Sequence, residues 1–492
     1  MGVAARAALR QGYLVADQAL YERQKAQAEA RYATGDAASA PTSALAPTTS
    51  RSWAGVYDTC CTPSDSTSAI GTTRFIESVN DGYAIYNRTS NAPLHVGSLA
   101  ELWGASAFDS TFDPQIVWDP STKRFYFSGD DVVSSTQNQL AFGFSTTASP
   151  SGPADWCQYA INYGSEFPDY PKLGMTKDFV VFGVNVFAGN TFRGADILTV
   201  TKPAAGTSCP APATFSLAQK NTVLNSNGTK AFTPVPAHQT DPSSTGYVVA
   251  RPLSLPATGL TVFRVSKNTD GTANIQSTGS NVTVASYTVP PSAPQKGTAF
   301  KIDTSDARPT QAVSAIDPSH TDSAGKPIVG LWTQQAIAGG AGSVVRWLEI
   351  NPVTHTVVQS GTQSSASKYV FNGAISPDRL VRGTTKAFGQ NMVLTFNTVS
   401  STTFTDIEAV SKLAGAAVSS PLVLKTSTGS DIDFACAGNG NVCRWGDYAA
   451  ANPDPGASAS GTTGAVWITE MWNVAGSTGG VAWRTWNAAV KP

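Results

Sequence analysis

Arg444, Trp445, Gly446, Asp447 and Tyr448 form the stretch in which chemically active side chains are most concentrated. Arg444 has the charge and geometry to bind an anionic group, and Asp447 could act as a general acid or base, or as a metal ligand. Tyr448 could stack on a ligand or donate from its hydroxyl. The structural alternative is an Arg444–Asp447 pair across a capped turn, because Asp at turns commonly bonds nearby backbone.

Weaker copies of this polar turn recur upstream, each followed by a short apolar strand. Two of the carboxylates could form the acid–base pair of a glycosidase, and Asp169 is the upstream candidate for catalysis. Several could instead provide oxygen ligands for Ca²⁺, for which we select Asp65, Asp113 and Asp241. Because chemistry needs two carboxylates, a structural role in turns is the main alternative. The full set of recurring markers is Asp65, Asp113, Asp169, Asp241, Asp306, Asn372 and Asp447, with Asp58, Asp109, Asp130 and Asp131 as further candidates.

Other polar residues beside these turns are candidates for ligand binding or proton transfer. His238, three residues before Asp241, is the best candidate for a general base among the four histidines. A surface or capping histidine is the alternative. The residues predicted to bind a ligand are Asp113, Tyr170, Lys172, Asp306 and Arg308.

Several classes of function are disfavoured by composition and by missing motifs. The formal net charge is −1 and the pI is about 6.4, so no basic field attracts nucleic acid. No apolar run approaches the ~20 residues of a membrane span. The sequence contains no phosphate-binding glycine loop, no CxxC zinc spacing and no nucleophile elbow in a strand–turn–helix context.

The elements that must position these residues are short β-strands. Charged residues make up only 14% of the chain, which contains 43 glycines, and turn clusters alternate with β-rich runs from about residue 53 onward. Successive polar markers lie 48 to 75 residues apart, an interval that fits one four-stranded propeller blade. We therefore predict an all-β, seven-bladed β-propeller. A six-bladed propeller and a pair of stacked β-sandwiches are the alternatives.

The chain divides into three predicted regions. Residues 1–33 are an N-terminal helix, rich in helix-forming residues, that could bind the domain or another chain. Residues 34–52 are an Ala/Pro/Ser/Thr linker, expected to be flexible. Residues 53–490 form the propeller, closed by strands at 467–472 and 481–486 that pair with each other or with the segment after Trp53. The loops that begin the innermost strands share one rim, so the polar markers should converge there.

Cysteine usage indicates an extracellular or cell-surface location. We predict a Cys436–Cys443 disulfide around a Gly/Asn turn and a Cys157–Cys209 disulfide between polar loops. Cys60 and Cys61 could bridge each other or pair elsewhere, and free buried thiols are the alternative throughout. Residues 1–33 contain no apolar signal-peptide core.

Several motifs, in the same order, resemble those of secreted bacterial sialidase-like (BNR-type) β-propellers. They are Pro-Ser-Asp-Ser-Thr-Ser-Ala-Ile-Gly (63–71), Phe-Asp-Pro-Gln-Ile-Val-Trp-Asp (112–119), Asp-Tyr-Pro-Lys-Leu-Gly (169–174), Phe-Asn-Gly-Ala-Ile-Ser (371–376) and Arg-Trp-Gly-Asp-Tyr (444–448). The resemblance covers residues 53–490 and implies a propeller fold and export. The Asp-box repeat of sialidases, Ser-x-Asp-x-Gly-x-x-Trp, has no full match.

Three functions remain as expectations. The first is an extracellular propeller that recognises a ligand, most simply a carbohydrate, on its channel rim. The second is a glycoside hydrolase or polysaccharide lyase that uses rim Asp, Arg and Tyr residues. The third is an assembly or surface-structure component tethered by the N-terminal helix. No cofactor is predicted apart from the candidate Ca²⁺.

Overall fold

The protein is built almost wholly of β-strands, as seen in a computed structural model of the chain. Short apolar runs form the strands, and Gly, Pro, Asn, Asp and Ser turns separate them. The structure describes residues 14–32, 45–57, 61–106, 109–204, 208–382, 386–456, 463–475, 481 and 483–492.

Seven sheets contain nearly all of the strands, and apart from the parallel pair of β15 and β22 their strands pair antiparallel, most of them as consecutive hairpins. We call these sheets blades 1 to 7. Blades 1 to 3 contain β2 Thr67–Ile70, β3 Arg74–Val79, β4 Gly82–Asn87 and β5 Pro93–Ser98; β6 Ser110–Asp119, β7 Arg124–Ser134, β8 Gln137–Ser145 and β9 Trp156–Gly164; and β10 Phe167–Met175, β11 Phe179–Ala188, β12 Thr191–Thr201 and β13 Leu217–Lys220.

The remaining blades follow the same plan, with an added strand in blades 4 and 5. Blade 4 contains β14 Ala231–Pro236, β16 Gly246–Pro252, β17 Ala257–Lys267, β18 Ala273–Ile275 and β19 Ser280–Tyr287, and blade 5 contains β15 His238–Gln239, β22 Pro309–Thr321, β23 Pro327–Gly339, β24 Gly342–Asn351 and β25 Thr356–Gln363. Blade 6 contains β26 Tyr369–Pro377, β29 Met392–Val399, β30 Asp406–Lys412 and β31 Leu422–Thr426, and blade 7 contains β33 Ala450–Pro453, β34 Val466–Asn473, β35 Trp483–Lys491 and β1 Thr48–Ala54.

The innermost strands of the blades form a closed ring. Each contacts the innermost strand of the next blade, in the order β2, β6, β10, β14, β22, β26, β33 and back to β2. The predicted seven-bladed β-propeller is therefore confirmed, and a six-bladed propeller and stacked sandwiches are excluded. Short pairs outside the blades are β20 Ala293–Pro294, β21 Lys301–Ile302 and β32 Val442–Cys443, and β27 Leu380–Arg382 with β28 Lys386–Phe388.

Apolar side chains fill the space between adjacent blades. The strand β11, Phe-Val-Val-Phe-Gly-Val-Asn-Val-Phe-Ala, is buried along nearly its whole length because its two faces pack against different neighbours. This double burial explains why the central strands read as continuous apolar runs rather than as alternating ones.

The N-terminal strand β1 closes the ring. It pairs antiparallel with β35, which in turn pairs with β34. Trp53 on β1 packs edge-on against Phe75 of blade 1 and Trp467 of blade 7, with ring centroids 5.2 and 6.0 Å away. Residues 48–52 therefore belong to the propeller, whereas we expected them to be linker. Residues 34–44 of the predicted linker lie outside the described residues.

The N-terminal helix packs on the propeller itself. It spans α1 Gln18–Tyr32 and is capped by Asp17, whose Oδ1 accepts from the backbone N–H of Leu20 at 2.9 Å. Residues 1–13 of the longer predicted helix lie outside the described residues. Lys25 pairs with Asp303 at 2.8 Å, so the helix is fixed to the segment before blade 5. The shorter helices are α2 Leu99–Trp103 and α3 Phe434–Gly438, and two 3₁₀ turns cover Pro153–Asp155 and Pro212–Thr214.

Both predicted disulfides are present, Cys157–Cys209 and Cys436–Cys443. The first ties β9 to the segment before β13, and the second encloses the turn between α3 and β32. Cys61 is also disulfide-bonded, and Cys60 lies outside the described residues. Within the described part of the chain, no helix has the length and apolar character needed to cross a membrane.

Candidate functional site at the channel mouth

A residue with a left-handed backbone lies in the first half of the innermost strand, or two residues before it, in blades 1 to 6. In blades 2, 3, 4 and 6 this residue lies within a register shift of the strand. Such a bulge adds a residue on one strand and changes the direction of its side chains. The six residues and their φ angles are Asp65 (43°), Asp113 (54°), Tyr170 (57°), Thr233 (52°), Ala307 (66°) and Asn372 (47°).

Four of the predicted carboxylates meet at this end of the channel. We call Asp65, Asp113, Asp169 and Asp447 the acidic cluster, and the end of the channel where they lie the channel mouth. They come from blades 1, 2 and 3 and from the segment before blade 7, and each influences the ionisation of others in the set. The predicted convergence of polar turns on one rim therefore occurs for these blades.

Hydrogen bonds hold part of the acidic cluster in place. Asp65 accepts from the backbone N–H of Asp447 at 2.7 Å and from the amide of Asn80 at 2.7 Å. Asn80 Oδ1 accepts in turn from the backbone N–H of Asp113 at 2.9 Å, which links blade 1 to blade 2. By contrast, the carboxyls of Asp113 and Asp169 have no hydrogen-bond donor among the described residues, so they are available to a ligand.

Two arginines add positive charge beside these acids. Arg444 Nη2 donates to Asp447 Oδ2 at 2.6 Å. Arg308 makes a two-pronged contact with Asp306, at 2.8 and 2.9 Å, and Arg251 donates to the same carboxylate at 2.9 Å. Burial alone would raise the pKa of Asp306, but the two guanidinium groups hold it well below its usual range. Asp306 is thus committed to positioning Arg308.

Lys172 lies between two tyrosine rings. Its Nζ is 3.3 Å from the ring centroid of Tyr448 and 4.1 Å from that of Tyr170. The nitrogen has no hydrogen-bond partner among the described residues, although Lys172 is only 1% exposed. Burial lowers the pKa of Lys172 well below its ordinary value, against the attraction of nearby Asp113 and Asp65.

The two tyrosine hydroxyls are engaged by backbone carbonyls. Tyr170 donates to Asp447 O at 2.9 Å, and Tyr448 donates to Pro114 O at 3.1 Å. Burial raises the pKa of Tyr448 well above its ordinary value. The tyrosines therefore act here as neutral donors and as ring partners for Lys172, rather than as bases.

The acidic cluster holds protons near neutral pH. Burial, reinforced by repulsion from neighbouring acids, raises the pKa of Asp65 and Asp113 to about 7. Burial also raises the pKa of Asp169 to about 7, although Arg308 opposes this, and that of Asp447 to about 6, with Arg444 opposing. A group of carboxyls in this range can both donate and accept protons, which is typical of functional sites.

A further acid extends the cluster. Asp130 on β7 is fully buried, both of its carboxyl oxygens have no hydrogen-bond partner among the described residues, and Asp113 and Asp169 lie close. Burial and these two acids raise the pKa of Asp130 well above its ordinary value, which favours the protonated form. Asp130 is a mid-strand residue without a turn beside it, and its only sequence signal is the pair of adjacent acids, Asp130 and Asp131, within a β-strand.

The structure separates two predicted residues from the acidic cluster. His238 Nε2 contacts Trp118 O at 2.9 Å, at the far end of β6, and burial lowers the pKa of His238 to about 4. Asp241 Oδ2 accepts from the backbone N–H of Ile316 at 3.1 Å, near the far end of β22. Neither position supports the expected role, as base or Ca²⁺ ligand, at the channel mouth, because polar turns occur at both ends of the innermost strands.

The expectation of a Ca²⁺ site rests on Asp65 and Asp113 once Asp241 is separated. Both oxygens of Asp65 already accept from N–H groups, and Arg444 and Lys172 place positive charge close by. Calcium prefers a shell of several free oxygen ligands. The donor set at the channel mouth therefore does not fit Ca²⁺ well.

The chain before α1 reaches the channel mouth. Arg308 Nη2 donates to the backbone carbonyl of Leu14 at 3.3 Å, and Val15 is buried. A cavity of about 30 Å³ lies farther along the channel, with Lys172 and His238 among its lining residues, and it has room for only a few waters. A ligand larger than a few waters does not fit in this cavity.

Comparisons with known proteins find only remote structural likenesses. No family model matches the sequence, and no curated protein matches it. The hemagglutinin-neuraminidase ectodomain of parainfluenza virus 5 is 10% identical, with 80% of this chain and 84% of that chain covered and a TM-score of 0.36. The Dos1 propeller is 9% identical, with coverages of 90% and 95% and a TM-score of 0.38. The GH43_1 enzyme from Xanthomonas citri, solved with xylotriose, is 11% identical, with coverages of 68% and 95% and a TM-score of 0.32.

Proposed function

We propose that the protein is an extracellular β-propeller that binds a carbohydrate at its channel mouth. The observation that supports this function is the acidic cluster together with Arg308 and Arg444, brought to one rim from separate blades. Two disulfides are typical of proteins in oxidising compartments and support an extracellular location. A place among secreted sialidase-like propellers is part of the same proposal.

The chemistry of the channel mouth suits a ligand with many hydroxyl groups. Carboxyls near their pKa offer donors and acceptors at once, and a sugar hydroxyl has the same dual character. The unpartnered carboxyls of Asp113 and Asp169 would exchange their solvent contacts for sugar hydroxyls. Arg308 and Arg444 would favour a ligand that carries a carboxylate, because planar guanidinium groups match that geometry.

Glycoside hydrolysis is the second candidate function. Asp113 and Asp169 are acids whose pKa burial raises to about 7, and a glycosidase needs one carboxyl that keeps its proton and one that loses it. Mutual repulsion would separate the two protonation steps, since two close carboxyls do not ionise together. A lyase with a tyrosine base is less well supported, because Tyr448 is buried and donates to a carbonyl.

Attachment to a larger assembly through the N-terminal helix is supported least. The side chains of Tyr21 and Lys25 bond to Asp303 of the same chain, and Gln24 donates to Leu255 O at 2.8 Å. A helix held by these contacts presents less free surface to another chain than an isolated tether would.

A glycan array combined with a polysaccharide-degradation screen tests the proposal. The wild-type chain is compared with Asp113→Asn, Asp169→Asn and the control Asp270→Asn, whose carboxylate accepts from Thr272 in an exposed turn. Loss of binding in the two site variants, with no turnover by the wild type, supports recognition. Turnover that the site variants lose while they still bind supports hydrolysis. Binding that survives both site variants unchanged would overturn the assignment of the mouth.

A further inference from the structure

A group of possible metal ligands lies in blade 5, away from the channel mouth. Asp317 and His320 are near the end of β22, and Glu349 is on β24. Their ligand atoms all lie within 4.8 Å of one another. His320 Nδ1 is 2.5 Å from Asp317 Oδ2 and 4.0 Å from Glu349 Oε2.

The two carboxylates are buried with little to balance their charge. The side chains of Asp317 and Glu349 have 0% exposure, and within the described part of the chain His320 is the only basic side chain within 4.0 Å of them. Lys412 on β30 of blade 6 also faces the pair, at a greater distance. Two buried acids in this arrangement are costly unless they share a proton or bind a cation.

In each carboxylate, one oxygen accepts hydrogen bonds from a neighbouring side chain or backbone group, and the other oxygen takes no part in those bonds. Asp317 Oδ1 accepts from the N–H and hydroxyl of Ser319, at 2.8 and 2.6 Å. Glu349 Oε2 accepts from Gln359 at 2.7 Å, whereas Glu349 Oε1 has no partner among the described residues. Such outer hydrogen bonds are the usual means of orienting metal-binding carboxylates.

The surroundings contain a second unpartnered group, independent of the acids. Trp332 Nε1 is fully buried and has no acceptor among the described residues. A Cβ at Gly330 would collide with Glu349 Oε1 and would lie 3.1 Å from Trp332 Nε1. The glycine therefore makes the room that the Glu349 carboxyl occupies, and the unpartnered indole N–H of Trp332 lies on the same side of that carboxyl.

We propose that Asp317, His320 and Glu349 bind a divalent transition-metal ion of the zinc class. One imidazole and two carboxylates suit Zn²⁺ and its neighbours, and they suit the all-oxygen preference of Ca²⁺ less well. The His320 side chain is 37% exposed, which gives the ion a route from solvent. The bound ion would replace the direct His320–Asp317 contact and tie the end of β22 to β24.

The test measures Zn²⁺ binding to the full chain after treatment with a chelator. Isothermal titration gives affinity, and elemental analysis after dialysis gives stoichiometry. We expect one Zn²⁺ per wild-type chain, with the affinity lowered at least about tenfold in His320→Ala and in Glu349→Gln, since loss of even an outer-shell partner costs about 10- to 100-fold. Zn²⁺ should also raise the unfolding temperature of the wild type and not that of the variants.

His95→Ala is the matched control. His95 contacts Glu101 at 2.7 Å in blade 1, so it forms a similar pair with a single partly exposed carboxylate. The control should bind Zn²⁺ as the wild type does. Circular dichroism without metal establishes that His320→Ala is folded. The proposal is overturned if the wild type binds no Zn²⁺ at micromolar concentration, or if His320→Ala and Glu349→Gln bind it as tightly as the control.

Discussion

At the scale of single residues, the channel mouth concentrates ionisable groups whose surroundings oppose their ordinary charge states. Asp65, Asp113 and Asp169 each have a pKa raised to about 7 by burial. Lys172 has its pKa lowered, for the same reason. When the acids keep their protons and the neighbouring lysine loses its proton, fewer charges have to be buried. This arrangement allows a propeller of low overall charge to maintain a cluster of acids at its centre.

The stability of the protein should therefore fall as the pH rises through the pKa of the acidic cluster. In the unfolded chain an Asp has a pKa of about 3.9, so between about pH 4 and 7 the folded form binds more protons. Each extra proton makes the free energy of unfolding fall by about 1.4 kcal/mol per pH unit. Asp113→Asn removes one such titrating group, so the variant should lose less stability than the wild type between about pH 4 and 7.

Guanidinium unfolding at a series of pH values measures this difference. The control Asp270→Asn alters an exposed turn and should follow the wild-type slope. Equal slopes for Asp113→Asn and the wild type would mean that Asp113 is ionised throughout and that its burial does not govern its charge.

Most of the acidic cluster could be identified from the sequence, because the backbone conformation at these positions favours particular residue types. Asp tolerates a left-handed backbone better than most residues, so short polar side chains mark the positions of Asp65 and Asp113. Tyr170 occupies the same position in blade 3, and it was selected only through the neighbouring Asp169. His238 and Asp241 come after the innermost strand β14 instead of before it. Composition alone does not distinguish the two ends of a strand.

At the scale of elements, the repeat spacing predicted the blades well, but the closing strand was expected after Trp53 and lies at Thr48–Ala54. Most strands of each blade pair as consecutive hairpins, so local patterns are sufficient to reveal the blades. The strand β1 pairs with β35, with Thr48 opposite Lys491 at the other end of the chain. Its sequence is Thr-Thr-Ser-Arg-Ser-Trp-Ala, which has one large apolar residue and reads as a linker. Its strand conformation depends on a partner that no local pattern identifies.

Trp53 should therefore be a major determinant of ring closure. It is 5% exposed and packs against Phe75, Tyr86 and Trp467. Trp53→Ala should lower the free energy of unfolding by about 3–5 kcal/mol, as expected for removing a large buried aromatic side chain.

The control for this experiment is Val96→Ala, at a position that is 59% exposed on β5 of blade 1. It should change the free energy of unfolding by less than about 0.5 kcal/mol. Guanidinium denaturation followed by tryptophan fluorescence and by circular dichroism measures both. If Trp53→Ala and the control have the same free energy of unfolding, β1 contributes little to closure, and the ring is held by β33–β35 alone.

At the scale of the whole molecule, the N-terminal segment has two structural roles. Through β1 it completes blade 7, and through α1 and Leu14 it reaches the opposite side of the ring at blades 4 and 5. The carbonyl of Leu14 occupies a donor of Arg308, which is one of the groups assigned to ligand binding. A ligand that uses Arg308 must compete with this contact. The apparent affinity of the ligand is then its intrinsic affinity multiplied by the fraction of molecules in which the segment is displaced.

Removal of residues 1–44 should leave the propeller folded and uncover the channel mouth, because β1 begins at Thr48. Hydrogen exchange should become faster in peptides that contain residues 306–308 and 444–448, while β11 on blade 3 stays protected. Lys25→Ala is the partial version, since it breaks the 2.8 Å pair with Asp303 without shortening the chain, and it should give a smaller change in the same peptides. Unchanged exchange at the mouth in both chains would mean that the Leu14 contact does not restrict access, and that the site is open to ligands in the full chain.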